Sequence, residues 1–165
     1  MQGDTVSKAY VEYRRQVEAF IRVREWERFA DLFTLDARYR RHGAPEVHGR
    51  EAIRAWAVEH MTTFPGNQIV GFTVDWMACD ERQRHVIYEV RHTLSDPGDG
   101  SVHEACTTTM LTYAGNGLWS EGADVHNEQA YQSMFRNWTR AARASGLLPP
   151  GEPEEGHLLA SDVSR

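Results

Sequence analysis

The stretch GLWSEGADVHN, from Gly117 to Asn127, organises the sequence. It is predicted to form the last strand of a sheet, opening after a tight turn and ending at a helix cap, because the preceding AGNG is a strong hairpin signal. Side chains alternate between the two faces of a strand, so Gly122, Asp124 and His126 share one face. Two ionisable groups on a strand face that is expected to be buried form the best functional lead in the chain.

Outward from this stretch, the sequence predicts helices first and then mostly strands. Apolar residues recur every three or four positions over 4–24, within EWERFADLF and over 50–62, which is typical of helices. The period then changes to two, and strands are expected at 68–79, 84–95, 102–113 and 118–126. A shorter strand at 37–41 and an edge piece within HGAPEVHG precede the third helix. Asn127 is expected to cap a last helix over 128–144.

This order predicts one α+β domain over residues 1–145, in which a curved antiparallel sheet packs its concave side on the helices. The tail 146–165 carries three prolines and several acidic residues with little periodicity, so we expect it to be flexible.

Charge and composition narrow the function classes. The 165 residues carry a net charge of −6 without a basic stripe, which argues against nucleic-acid binding. No signal peptide is visible, and no apolar run approaches the roughly 18–20 residues of a membrane span. The two cysteines, Cys79 and Cys106, fit no metal-binding spacing. We therefore expect a cytoplasmic protein with no nucleic-acid or membrane partner.

The segment FADLFTLDARYRRHGAPEVHGREAIRAW resembles the nuclear-transport-factor-2-like superfamily. Relatives in that superfamily include ketosteroid isomerases, limonene epoxide hydrolases, scytalone dehydratases and SnoaL-like polyketide cyclases. The matching pattern is Leu-Phe-x-x-Asp-Ala, a short strand, a glycine and a helix that begins Arg-Glu-Ala-Ile. The resemblance covers roughly residues 5–140 and implies a cone-shaped sheet wrapped around the N-terminal helices, a cystatin-like α+β barrel. This fold serves enzymes and binding modules alike.

The family's catalytic residues carry over only in part. Where ketosteroid isomerases place their Asp base, this chain has Arg41, and their oxyanion-hole Tyr and hydrogen-bonding Asp match Val17 and Thr109. Ketosteroid isomerase chemistry by that route is therefore not expected.

The other two enzyme groups give opposite results. The limonene hydrolases carry an Arg and an Asp two residues apart on a middle strand. This chain has Val90 and His92 at those positions, so the pair has no clear match. SnoaL-like cyclases use an Asp on the last strand as base, and Asp124 lies in that region.

Strand pairing predicts the wall of a cavity. We take AGNG to join Tyr113 to Leu118 and SDPGDGS to join Ser95 to Val102. In an antiparallel pair, the residue numbers of two opposed residues add up to the same total along the whole pair, so each connection fixes which residues face each other. Ala105 and Gly122 are then expected to leave space in the wall, with His92 and His126 on either side of Ala105, about 10 Å apart. The predicted rows are Tyr88–Thr109–Gly122, Val90–Thr107–Asp124 and His92–Ala105–His126, and the resemblance places this face inward.

Asp124, His126 and His92 are the candidate catalytic residues. Asp124 and His126 would form an acid/base unit, in which the carboxylate fixes the imidazole tautomer or itself takes a proton next to a carbonyl. The alternative is a satisfied buried pair near the helix cap. The candidate substrate-binding residues are Tyr88, Thr107, Thr109, Trp56, Arg41 and Val17.

Two of these assignments have alternatives. An inward Arg41 would neutralise Asp124 or bind a substrate carboxylate, whereas at the rim it would extend toward solvent. The two histidines and Asp124 could also hold a metal, but their spacing makes compact coordination awkward, so neither metal nor cofactor is expected. The remaining histidines are expected in loops, on the surface or at sheet edges: His42, His48, His60, His85, His103 and His157.

The function predicted from these residues is a cofactor-independent enzyme acting on a small, largely apolar carbonyl or hydroxyl compound, of the isomerase, dehydratase or polyketide-cyclase type. The alternative is a non-catalytic small-molecule-binding or dimeric partner-assembly domain. A third possibility is a vestigial pocket in a protein that acts through its dimer face. The outer sheet face predicts a homodimer interface, because apolar residues lie there among charged ones. These apolar residues are Ile87, Met110, Trp119 and Val125.

Overall fold

In the computed structural model, which describes residues 5–150, helices and strands follow the predicted order. They are α1 (Val6–Val23), a 3₁₀-helix (Trp26–Leu32), β1 (Phe33–Arg41), β2 (Val47–His48), α2 (Arg50–Thr62), a short 3₁₀-turn (Gly66–Gln68), β3 (Ile69–Asp80), β4 (His85–Leu94), β5 (Glu104–Gly115), β6 (Leu118–His126) and α3 (Glu128–Ala144). The α+β fold is confirmed. The predicted tail continues outside the described residues, so its flexibility and the domain boundary at 145 stay predictions.

One curved, unclosed sheet of six strands forms the frame, in the order β2-β1-β6-β5-β4-β3. The predicted meander from β3 to β6 is antiparallel throughout, but β1 lies parallel to β6, so a fully antiparallel sheet was wrong. The sequence left the direction of β1 open because a helix, and not a tight turn, connects it to the meander. Register shifts interrupt β1, β3 and the β5–β6 pair, and such bulges bend a sheet.

Helix α1 fills the concave side of this sheet. Its buried residues recur at helical spacing and include Tyr10, Tyr13 and Val17. Glu81, just after β3, fixes the start of the helix by accepting hydrogen bonds from the backbone amides of Val6 (2.8 Å) and Ser7 (3.0 Å). A carboxylate at a helix N-terminus is favoured by the helix dipole. None of the helices in the described range combines the length and apolar character that a membrane span requires.

The β5–β6 hairpin is tighter than predicted. Gly115 pairs with Leu118, so the turn is only Asn116 and Gly117, whose φ angles are 53° and 75°. Positive φ at both central residues is the geometry of a two-residue turn whose twist matches the strands. The register therefore moves by two positions: Leu111 faces Gly122, Thr109 faces Asp124, and Thr107 faces His126.

The predicted pairs Thr109–Gly122, Thr107–Asp124 and Ala105–His126 were thus wrong. Because the error is an even number of residues, the same side chains still face inward. The β4–β5 pairs were predicted correctly: Tyr88–Thr109, Val90–Thr107 and His92–Ala105.

A bulge in β6 corrects the assignment of Trp119. Tyr113 pairs with Trp119 and Thr112 with Glu121, so Ser120 is the extra residue. This places Trp119 and Gly122 on the same, inner side although they are three positions apart, and Trp119 is fully buried against Tyr113. The predicted outer face therefore loses Trp119, while Ile87 and Val125 remain exposed.

Candidate active site

A cavity of about 150 Å³ lies between the concave face of the sheet and the helices. Side chains from α1, the 3₁₀-helix, α2 and strands β1, β3, β4, β5 and β6 line it, and Tyr131 and Phe135 of α3 contribute as well. The lining is mainly aromatic and aliphatic with a few polar groups, which is the usual form of a small-molecule site. All the candidate residues lie on its wall, namely Asp124, His126, His92, Tyr88, Thr107, Thr109, Trp56, Arg41 and Val17.

Asp124 is the acidic group of the cavity, and two hydroxyl groups hold it. The Tyr39 hydroxyl donates to Oδ2 at 2.9 Å, and the Thr109 hydroxyl donates to Oδ1 at 2.7 Å. Desolvation raises the pKa of Asp124, while these two hydrogen bonds and the nearby Arg41 charge lower it, and desolvation prevails. A carboxyl group with a raised pKa inside a cleft is suited to accept and return a proton.

Tyr39 is a site residue that the sequence analysis missed. It pairs with Gly122 across the parallel β1–β6 ladder, and its ring covers this glycine so closely that a Cβ there would lie 2.3 Å from a ring carbon. The prediction that Gly122 leaves empty space in the wall was therefore wrong, because the Tyr39 ring occupies that space. The signal was present in the sequence, since Tyr39 lies two residues before Arg41 and thus on the same face.

The predicted Asp124–His126 unit is not formed by direct contact. Among the described residues, the hydrogen bonds to the Asp124 carboxyl come from Tyr39 and Thr109, and His126 makes none to it. The pKa of His126 is lowered by desolvation first and by Arg41 second. With the register moved by two positions, His126 stands over Thr107 instead of Ala105.

Tyr131, in the first turns of α3, contacts both candidate histidines. Its hydroxyl lies 2.7 Å from Nδ1 of His92 and 2.7 Å from the hydroxyl of Thr107. Its ring meets both imidazoles edge-on, with centroid distances of 5.7 Å to His92 and 5.2 Å to His126. Nδ1 of His92 is thus occupied, so Nε2 is the nitrogen available to a ligand. Tyr131 is a second site residue that the sequence analysis missed.

His60 of α2 also lines the cavity, and its expected place on the surface or at an edge was wrong. It stacks on Trp56, one helical turn earlier on the same face, at 5.7 Å between centroids. Burial lowers the pKa of His60 to about 4 and that of His92 to about 3. Both rings are therefore neutral at neutral pH and can donate or accept a hydrogen bond without carrying charge.

Arg41 enters the cavity from the end of β1. Its guanidinium carbon lies 5.0 Å from the centre of the Trp56 ring, a cation–π contact. On the neighbouring strand, Asp124 is its pairing partner in the ladder. The pKa of Arg41 is lowered by burial, partly offset by Asp124 and Tyr39. Of the two expected positions for this side chain, the structure shows the inward one.

Potential metal ligands come together elsewhere. In the range the structure describes, the one group of three acidic or thiol side chains close enough to share an ion is Asp75, Glu89 and Cys106. Arg91 already forms an ion pair with Asp75 there. None of the cavity histidines belongs to this group.

The comparisons with known proteins agree with this fold. The model of the SnoaL-like domain family matches residues 13–127. No curated protein matches the chain significantly. A putative isomerase from Bacillus subtilis superposes with a TM-score of 0.65 at 16% sequence identity, covering 81% of this chain and 96% of that one.

Two further solved structures share the architecture. A putative SnoaL-like polyketide cyclase from Jannaschia sp. CCS1 has a TM-score of 0.58 at 15% identity, covering 82% of this chain and 96% of that one. An epoxide hydrolase of the LEH-like type from M. tuberculosis has a TM-score of 0.60 at 14% identity, covering 86% and 96%. At such identities the structural likeness concerns the fold. The family model, which spans most of the chain, shows that this protein belongs to the SnoaL-like domain family.

Proposed function

We propose that the chain is an enzyme that moves protons on a small, largely apolar carbonyl or hydroxyl compound, in the isomerase, dehydratase or cyclase class. The observation that carries this proposal is Asp124: a carboxyl group with a raised pKa, facing an aromatic cavity, with its oxygens oriented by Tyr39 and Thr109. Members of the same family and fold include cyclases, isomerases and epoxide hydrolases, which makes an enzymatic role plausible.

The proposed chemistry uses Asp124 as the proton carrier, beside histidines that burial keeps neutral. Asp124, ionised, removes a proton from a carbon next to a carbonyl, and the electron pair of the broken C–H bond moves into an enolate. Nε2 of His92, on the same cavity wall, can hydrogen-bond a polar group of the compound, because the Tyr131 hydroxyl engages the other ring nitrogen. Protonated Asp124 then returns its proton to another carbon, which isomerises the compound, or to a departing hydroxyl group, which dehydrates it.

The test is a pair of aspartate substitutions. Compounds that raise the melting temperature are first selected from a panel of small ketones, enones and hydroxyketones, and product formation is then followed by NMR. Asp124→Asn should reduce turnover at least about a hundredfold, as expected for loss of a general base. Asp36→Asn, at an exposed position of β1, is the matched control and should leave turnover unchanged. Unchanged turnover in Asp124→Asn would remove the proposal.

A non-catalytic binding domain is the second candidate, and one observation favours it. Both oxygens of Asp124 already accept a hydrogen bond, as in a satisfied buried carboxylate. This candidate predicts compounds that stabilise the protein equally well in wild type and Asp124→Asn, with no product from either. Product formed by wild type alone would exclude it.

The outer sheet face remains a proposed homodimer contact. Exposed apolar side chains lie there on three strands of the sheet, and Trp76, which pairs with Glu89, joins them in place of Trp119. The exposed set is Trp76 of β3, Ile87 of β4 and Val125 of β6. Light scattering of the purified chain should give twice the monomer mass, and Ile87→Glu should halve it. A monomeric wild type would refute the contact.

A further inference from the structure

The Arg41 guanidinium has no acceptor in the part of the chain that the structure describes. It makes no hydrogen bond or ion pair there, and its Nε is buried without a partner. Arg40, the next residue back along β1, is exposed and lies within ion-pair distance of Glu46 and Glu121. A partly buried charge without a partner is costly, so the inward arginine needs an explanation that the outward one does not.

Asp124 does not serve as the fixed counter-ion of Arg41. The two residues face each other on neighbouring parallel strands, yet the carboxyl oxygens turn to Tyr39 and Thr109. The Arg41 guanidinium instead lies over the Trp56 ring. The two side chains still affect each other electrostatically, because the Asp124 carboxyl raises the pKa of Arg41 and the Arg41 charge lowers that of Asp124, so a group bound by Arg41 would lie near Asp124.

Two indole N–H groups of residues that line the cavity are, like Nε of Arg41, buried without a hydrogen-bond partner among the described residues. They are Nε1 of Trp56 and Nε1 of Trp26. Together with Nε of Arg41 they are donors only, since an indole or guanidinium nitrogen does not accept. These three buried N–H groups are unsatisfied, and the terminal nitrogens of Arg41, which make no hydrogen bond among the described residues, are the donors that the acceptor oxygens of a ligand would meet.

We propose that the cavity binds a small aromatic or alicyclic carboxylic acid, whose carboxylate pairs with Arg41 and whose ring packs on the aromatic wall. The proposal rests on the proposed function, because it takes this cavity as the substrate site. A planar guanidinium binds a carboxylate through two parallel hydrogen bonds, which makes arginine the side chain suited to this task. A cavity of about 150 Å³ is large enough for a ring the size of benzene.

The test compares acids with neutral compounds of the same shape. Phenylacetate and cyclohexylacetate are titrated against their amides, phenylacetamide and cyclohexylacetamide, with the intact protein, and binding is read from tryptophan fluorescence, since Trp26 and Trp56 line the cavity. Wild type should bind each acid about tenfold or more tightly than its amide. Arg41→Met should lose this preference, Arg41→Lys should keep part of it, and Arg40→Met, the matched control, should keep all of it. Melting curves of the variants establish that each is folded.

Equal affinity for acid and amide in wild type would overturn the proposal, and so would an unchanged preference in Arg41→Met or no binding of either acid at millimolar concentration. The same titration of Asp124→Asn separates this result from the proposed function. Acid preference kept in Asp124→Asn supports recognition by Arg41 whether or not the protein turns over a substrate. Turnover of neutral ketones without any acid preference would leave the proposed function standing and remove this inference.

Discussion

At the scale of single residues, Tyr39 shifts the pKa of Asp124. Its hydroxyl donates to the carboxyl, which favours the ionised form and lowers the pKa of Asp124 against the effect of burial. The pair also shows why sequence reasoning found Asp124 and missed its partner: the last strand was recognised, but the parallel pairing of β1 with β6 was not. Similarly, His60 was expected away from the cavity, although its spacing of four residues from Trp56 puts both side chains on one face of α2.

Tyr39→Phe should raise the pKa of Asp124, because it removes a hydrogen bond to the carboxylate form. If activity needs ionised Asp124, the acidic limb of the pH–rate profile should move to higher pH in this variant. The shift is measured from kcat/KM against pH, or from the carboxyl carbon resonance of Asp124 by NMR. Tyr10→Phe is the matched control, since the Tyr10 hydroxyl is buried without a hydrogen-bond partner within residues 5–150. An acidic limb that stays in place in Tyr39→Phe would contradict this role.

At the scale of elements, the β5–β6 hairpin sets the register that brings Asp124 opposite Thr109. The turn motif was visible in the sequence, but counting four loop residues instead of two displaced every predicted β5–β6 pair by two positions. The bulge at Ser120 had no sequence signal strong enough to reveal it, so Trp119 was assigned to the wrong face. Faces were otherwise correct because side-chain alternation survives an even shift.

Gly122→Ala tests the contact between β1 and β6. An added Cβ would lie 2.3 Å from the Tyr39 ring, so the ring must move and its hydroxyl must leave Asp124. We expect a loss of about 1–3 kcal/mol in the free energy of unfolding, as for overpacked cores. Gly71→Ala is the matched control, because its Cβ would meet Thr93 only at 3.4 Å. Chemical denaturation measures both, and equal stability of the two variants would contradict the close fit of Tyr39 on Gly122.

At the scale of the whole molecule, the order of helices and strands was sufficient to predict the α+β class, because segregated periods of 3.6 and 2 leave few ways to cover one sheet face. The parallel pairing of β1 with β6 could not be predicted from that order. The buried histidines add a property of the whole chain. The pKa values of His60 and His92 are lowered to about 4 and about 3, while an unfolded histidine titrates near 6.5. Below about pH 6.5 the unfolded state therefore binds more protons, and stability falls as the pH falls.

His92→Gln should flatten this dependence. Each buried histidine contributes up to about 1.4 kcal/mol per pH unit to the slope of the unfolding free energy, and the raised pKa of Asp124 offsets part of it. Denaturation at about pH 7 and about pH 5.5 should show a smaller loss in His92→Gln than in wild type. His48→Gln, on an exposed strand, should lose as much as wild type. A slope equal to that of wild type in His92→Gln would show that His92 is not held neutral by the fold.

The most direct measurement of the central claim is proton exchange at the bound compound. In deuterated buffer, NMR should show wild type placing deuterium on the carbon next to the carbonyl of a stabilising ligand, and Asp124→Asn doing so at least about a hundredfold more slowly. Exchange at the same rate in both proteins would contradict Asp124 as the group that carries the proton.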